Sequence, residues 1–230
     1  MRRHITMRRE LGLALIALAC VASTVAPSRA RADEDAGVVA REPLEGAKLD
    51  ALLGDIAVAR KNVKTLRAAF TQERRITLLS TTVKSRGELT FAAPDRLRWD
   101  LAPPDDIVYF VGPEGLSYRS KTSSATVPAA GANVARALGD LRALLTGDLG
   151  ALRERYLLTG SRSVTDVEIA GTAKDPSKKG ASVRAFTLVL DKGLVVPLRA
   201  RLLEGPKDSI DLVFSNVVVN APVDPARLRP

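Results

Sequence analysis

Two residue types that carry much of the covalent and metal chemistry of proteins occur once each in this chain, as His4 and Cys20. Both lie in a stretch built for export. Arg2, Arg3, Arg8 and Arg9 precede an uninterrupted apolar run over 11–22, and Ala30-Arg31-Ala32 offers a small-x-small cleavage site before Asp33. The pattern is that of a secretory signal peptide, and its apolar run is well short of the ~20 residues of a spanning helix. Cleavage after Ala32 leaves an exported chain with no imidazole and no thiol. That excludes histidine-based triads, thiol nucleophiles and His- or Cys-ligated zinc. No metal and no cofactor are expected. Carboxylate or lysine acid–base chemistry stays open in principle, but most carboxylates sit beside Lys or Arg or in turns, as on a solvated face. The chain reads as a protein that is not an enzyme.

Cys20 has a second reading. Ala17-Leu18-Ala19-Cys20 loosely matches a lipoprotein processing box, which would make Cys20 the lipidated first residue. The Leu preferred three residues before the cysteine is missing, and the conventional site downstream is favoured. Export to the periplasm without cysteine means export without disulfides, so stability must come from the core. About two hundred residues suffice for one such domain. Residues 1–32 hold six Arg and one Glu, so the remainder carries a net charge of +4 against +9 for the whole chain. The basicity is mostly leader, and nucleic acid is not an expected partner.

With covalent chemistry removed, apolar residues at a strict spacing remain. Gly87, Leu89 and Phe91 alternate with Glu88 and Thr90; beyond Pro94-Asp95, Leu97, Trp99 and Leu101 alternate with Arg96, Arg98 and Asp100. A period of two with one wet and one dry face marks a half-buried antiparallel sheet. Phe186, Leu188 and Leu190 repeat the pattern, as do Leu198, Ala200 and Leu202, and Ile210, Leu212 and Phe214. Such residues could line a hollow interior or fill a packed one, and periodicity does not distinguish the two. The chemistry on offer is the sheltering of apolar chains.

The elements that must position these residues follow from the same patterns. Residues 33–45 read as a flexible polar lead and 46–230 as a single domain. Leu49, Leu52, Leu53, Ile56, Val63 and Leu66 give a helical period, with Asn62 as a candidate break. Strands are expected over 70–79, 82–91, 96–101, 107–111 and 116–119, then a loop over 121–131. Val134, Leu138, Leu141 and Leu145 place one face on a helix, and a short helix should cover 148–155. Strands resume over 156–160 and 166–170, followed by a loop over 172–181. A last block covers 183–190, 194–203 and 209–219, with a Gly205-Pro206 turn. So long a meander must curl or split. The helices are too few to coat both faces, and the outer face is charged. The expected fold is therefore α+β, an unclosed antiparallel β half-barrel with an N-terminal helix and a helical lid or plug over an apolar concave face. Its cavity residues are Leu89, Phe91, Leu97, Trp99, Ile107, Tyr109, Phe186, Leu188, Leu198, Ile210, Leu212 and Phe214, faced by Val134, Leu138, Leu141 and Leu145 from the lid.

Four features in order resemble the periplasmic carriers of outer-membrane lipoproteins, the LolA family. A helix runs into Phe70-x-Gln72. Gly87-Glu88-Leu89 leads through Pro94 to Arg96-Leu97-Arg98-Trp99. Pro103-Pro104 and a strand ending in the turn 112–115 follow, and the stretch 210–216 runs on to Val219-Asn220 and a Pro-rich end. The resemblance implies a carrier that takes triacylated lipoprotein from an inner-membrane ABC transporter, shields its acyl chains and delivers it to an outer-membrane receptor, acting as a monomer. The alternatives are a lipid- or lipoprotein-sensing interaction domain and a lipidated outer-membrane receptor of similar fold. Two positions depart from the family pattern. Many members place an Arg that holds the lid just before the central Pro, where this chain has Ala93, and an aromatic near the C-terminus, where it has Leu228.

Overall fold

The computed structural model of the chain describes residues 40–113, 115–127, 133–175, 183–204 and 207–230, with side chains of the second helix described from 138 onward. Helix α1 (Gly46–Lys61) turns Leu52, Leu53 and Ile56 inward at the three- and four-residue spacing of one helix face. Asn62 caps it, and strand β2 (Thr65–Ile76) begins at once. Val63 and Leu66, expected on the helix, are buried in the connection and in β2 respectively. Asn220 explains this early switch. Its side-chain oxygen accepts the Lys64 N–H at 2.7 Å and its amide donates to the Asn62 carbonyl at 3.0 Å, stapling the helix end to the end of the last strand. Its own φ of 58° lies in the left-handed region that Asn tolerates.

From β2 the chain is a meander: β3 (Thr81–Ala92), β4 (Arg96–Leu101), β5 (Ile107–Gly112), β6 (Gly115–Arg119) and β7 (Ser124–Val127), the last lying within the expected loop. Helices α2 (Asn133–Thr146) and α3 (Leu149–Arg155) interrupt it, α3 with Asp148 accepting the Ala151 N–H as its cap. The strands then resume as β8 (Tyr156–Arg162), β9 (Asp166–Ala173), β10 (Ala185–Asp191), β11 (Pro197–Leu203) and β12 (Ser209–Val219). Glu42–Leu44, within the polar lead, form a short strand β1 against β8. Parts of the expected loop over 172–181 and the turn at Gly205-Pro206 lie outside the described residues.

All pairings are antiparallel, in the order β1-β8-β9-β10-β11-β12-β2-β3-β4-β5-β6-β7. Among the described residues β1 and β7 are unpaired edges, so the sheet is open. Its dry face and the three helices enclose one apolar core. Two aromatic–glycine pairs set the close approach of strands. Phe70 lies opposite Gly87, where a Cβ would come within 2.6 Å of its ring, and stacks on Trp99 with centroids 4.0 Å apart. Phe186 lies opposite Gly171, whose Cβ would meet its ring at 2.3 Å, and meets Tyr156 edge-on at 5.0 Å. Gly160 plays a related part, leaving room for Leu49 and Leu52 to seat α1 on β8.

Candidate functional site

The dry face of the sheet gathers most of the alternating residues into a single cluster. Leu89, Phe91, Leu97, Trp99, Phe186, Leu188, Leu212 and Phe214 are all buried in it, and Tyr109 and Ile210 pack against it half-exposed. Two expected members stand apart. Ile107, opposite Leu101 at the start of β5, is half-buried outside the cluster. Leu198 is the extra residue of a bulge, because Val189 pairs with Arg199 but Leu190 pairs with Pro197. The bulge lets Pro197 take the inward place that simple alternation gives to Leu198.

Helix α2 covers this face. Leu138, Leu141 and Leu145 are buried, together with Leu144 and Ala143. Val134 falls in the first turn, outside the described side chains. Between the helix and the sheet lies a pocket of about 90 Å³, walled by Leu138 and Leu141 on one side and by Trp99, Leu101, Tyr109, Leu202, Ile210 and Leu212 on the other. Gln72, Arg74 and Glu204 complete it at the rim, where Arg74 Nη2 lies 2.9 Å from Glu204 Oε2. Burial pushes the Tyr109 hydroxyl above its ordinary pKa, so it stays a neutral phenol here. The pocket walls are apolar and its charges sit at the opening.

The polar rim escaped sequence reading, though its signal is present. Phe70, Gln72 and Arg74 share one face of β2, so a dry face turning polar after Phe70 marks where the cavity opens.

Three polar ties hold α2 down, none of them apparent from periodicity. Asp140, fully buried on the inner side of the helix, accepts the Tyr156 hydroxyl at 2.6 Å and lies 2.5 Å from Arg155 Nη2. Burial, then the bond to Asp140, drives the Tyr156 hydroxyl well above its usual range. Arg142 Nη1 donates to the Asp95 carbonyl at the tip of the β3–β4 hairpin, 3.3 Å away. Arg60 of α1 donates to the Leu145 carbonyl at 3.3 Å, with Nε and Nη2 lacking partners among the described residues. Burial lowers its pKa to about 10. A lid arginine thus reaches the hairpin turn that bears Ala93.

On the outer face, Arg98 forms a two-pronged bond to Asp100 at 2.7 and 2.6 Å and lies 5.3 Å over the Phe110 ring. It also donates to the Arg227 carbonyl, seating the terminal 3-10 turn Pro225–Leu228 with Leu228 buried.

The family model for LolA, described as outer membrane lipoprotein carrier protein, matches residues 61–229, from the end of α1 to just past the terminal turn. The chain belongs to the LolA family. A search of curated protein sequences found no match. Among solved structures, a chain of the MucA/MucB complex of Pseudomonas aeruginosa is similar at 16% identity and a TM-score of 0.47, over 80% of this chain and 61% of that one. A LolA superfamily protein from Nitrosomonas europaea matches at 10% identity and a TM-score of 0.46, over 79% and 97%. The lipoprotein LppX of Mycobacterium tuberculosis matches at 18% identity and a TM-score of 0.40, over 76% and 98%. This LolA-family chain spans about three fifths of the Pseudomonas chain.

Proposed function

We propose that this protein is a periplasmic carrier that shelters lipoprotein acyl chains between helix α2 and the dry face of the sheet. In this reading it takes triacylated cargo from an inner-membrane ABC transporter and gives it up to an outer-membrane receptor, with the signal peptide removed after Ala32. The observation that carries the reading is the seating of Leu138 and Leu141 against Trp99, Leu202 and Leu212 around an apolar pocket with its charges at the rim.

The pocket is too small for the cargo as it stands. At about 90 Å³ it falls below the roughly 300–1,000 Å³ that drug-sized ligands occupy. Acyl chains must therefore displace the lid leucines. Transfer of one chain of about fifteen methylenes out of water is worth roughly 12 kcal/mol. Withdrawing Leu138 and Leu141 forfeits about 3–6 kcal/mol of that. The lid thus acts as a built-in competitor that lowers net affinity, which a carrier needs in order to release. Arg142, Asp140 and Arg60 add polar ties that an incoming chain must break or carry along.

Native mass spectrometry of the protein purified from its own cell envelope, with lipid analysis of any adduct, tests this. The expected result is a labile adduct carrying an acylated N-terminal cysteine. A bare protein that also takes up no hydrophobic fluorophore would overturn the carrier reading and favour an interaction domain with a packed core.

A further inference from the structure

Leu78 is the most exposed large apolar side chain among the described residues, at 92%. Single exposed apolar residues are common on protein surfaces, and Val58 at 69% is one here. Leu78 differs in its setting. It lies at the tip of the β2–β3 hairpin, where β12 pairs with β2 as far as Arg75 and β4 joins β3 only from Gly87 onward, so the turn 77–80 caps the end of the sheet. The tip is shaped rather than loose. Thr77–Leu79 form a 3-10 turn closed by Ser80 at φ 49°, and the Thr77 N–H donates to Asp208 Oδ1 at 2.8 Å.

Two further features point to what meets this tip. Arg75, Lys84 and Arg86 are exposed along the outer face of the hairpin, opposite the face of the pocket rim, with Lys84 paired to Glu73 at 2.7 Å and Asp208 lying against the tip. Strand register also puts Ile76 and Val83 on the same face as Gln72 and Arg74 of the pocket rim. The tip and the pocket rim thus share one hairpin, with Ile76 and Val83 between Leu78 and the polar rim residues Gln72 and Arg74. An exposed apolar tip with exposed arginines and a lysine along one face of its hairpin fits an anionic lipid surface.

We propose that the β2–β3 tip is a membrane-contact element that lodges Leu78 among the acyl chains of an anionic leaflet, with Arg75, Lys84 and Arg86 against lipid phosphates. The contact is weak and reversible, since one leucine and a few cations fall well short of a stable anchor. It aims the pocket opening at the bilayer. It does not depend on what the interior holds.

Co-sedimentation of the purified protein with vesicles tests it, using phosphatidylethanolamine with about 30% phosphatidylglycerol, and phosphatidylcholine alone as the neutral comparison. Leu78→Asp should weaken binding to the anionic vesicles about tenfold or more, and Arg75→Gln about fivefold. Val58→Asp should bind as the unmodified protein does. Unchanged thermal midpoints would show that all three variants fold. Equal binding by Leu78→Asp, or an equal loss in Val58→Asp, would overturn the proposal. So would the absence of binding to either vesicle, which would leave a protein partner as the occupant of the tip. Lipid uptake into the interior is read separately through Trp99, so the two ideas fail independently.

Discussion

Gly87 and Gly171 each make room for an aromatic ring from the neighbouring strand. At Gly87 an added Cβ would lie 1.8 Å from the Asp100 carbonyl oxygen, which is backbone and cannot swing away. Gly87→Ala should therefore cost about 3 kcal/mol or more in denaturant unfolding, beyond the usual range for overpacking. At Gly171 the obstacle is the Phe186 ring, which can tilt, so Gly171→Ala should cost less, about 1–3 kcal/mol. Arg60 makes the opposite case. Among the described residues its buried guanidinium has one hydrogen bond, to Leu145, and the attraction of Asp191 does not offset its desolvation. Arg60→Met keeps the apolar stem and should leave stability equal or raise it by about 1 kcal/mol, while Arg60→Ala should lower it through lost packing. Asp166 gives a pH signature. Burial pushes its carboxyl up, but hydrogen bonds from Ser163 and Thr165 and the Arg41 guanidinium outweigh this and hold it below its ordinary value. A lowered folded-state pKa stabilises above the unfolded value and is lost as pH falls through the folded one. The stability gap between the protein and Asp166→Asn should stay constant above about pH 5 and close as pH drops below about 4.

At the scale of elements, α2 is a cover that three polar contacts keep in register. Arg142→Ala removes its tie to the central hairpin without touching the apolar seat. It should raise the affinity for a hydrophobic fluorophore several-fold while lowering the unfolding midpoint by only a few degrees, because one partly buried charged bond to a carbonyl is worth about 1.5 kcal/mol. Asp140→Leu should act differently, leaving Tyr156, among the described residues, only the longer bond to the Val183 carbonyl and Arg155 only that to the Ala151 carbonyl, and loosening the helix from β8 and α3. The strands of the central hairpin and of 209–219 were legible because each has one wet and one dry face, which imposes a period of two on the sequence. The boundary between α1 and β2 was not, since Val63 and Leu66 continue the helical spacing by coincidence while Asn220, 155 residues or more away in sequence, fixes the break. The bulge at Leu198 was hidden for a similar reason. Its alternation with Ala200 and Leu202 is unbroken, and only Pro197 hints that the ladder slips there. Strand β7 has four residues in a Ser/Thr/Ala stretch, too few to show a period. The apolar walls of the pocket follow from alternation, whereas its polar rim and the ties on the lid depend on tertiary neighbours.

At the scale of the whole molecule, the described residues form an open sheet and three helices that enclose one apolar core and leave an apolar pocket between α2 and the sheet. The chain belongs to the LolA family, and the carrier role proposed for it calls for a balance between a filled and a fillable interior. The sequence contains one tryptophan, Trp99, and it lines that pocket. Its fluorescence therefore reports on the interior alone. The most direct measurement is its quenching by a triacylated lipopeptide whose chains carry bromine, titrated below the concentration at which the lipopeptide aggregates. The carrier account predicts saturable quenching at one lipopeptide per protein, strengthened in Arg142→Ala and unaffected by Leu78→Asp. Lipopeptide that binds the protein while leaving Trp99 unquenched would contradict it, because the chains would then lie on the outside.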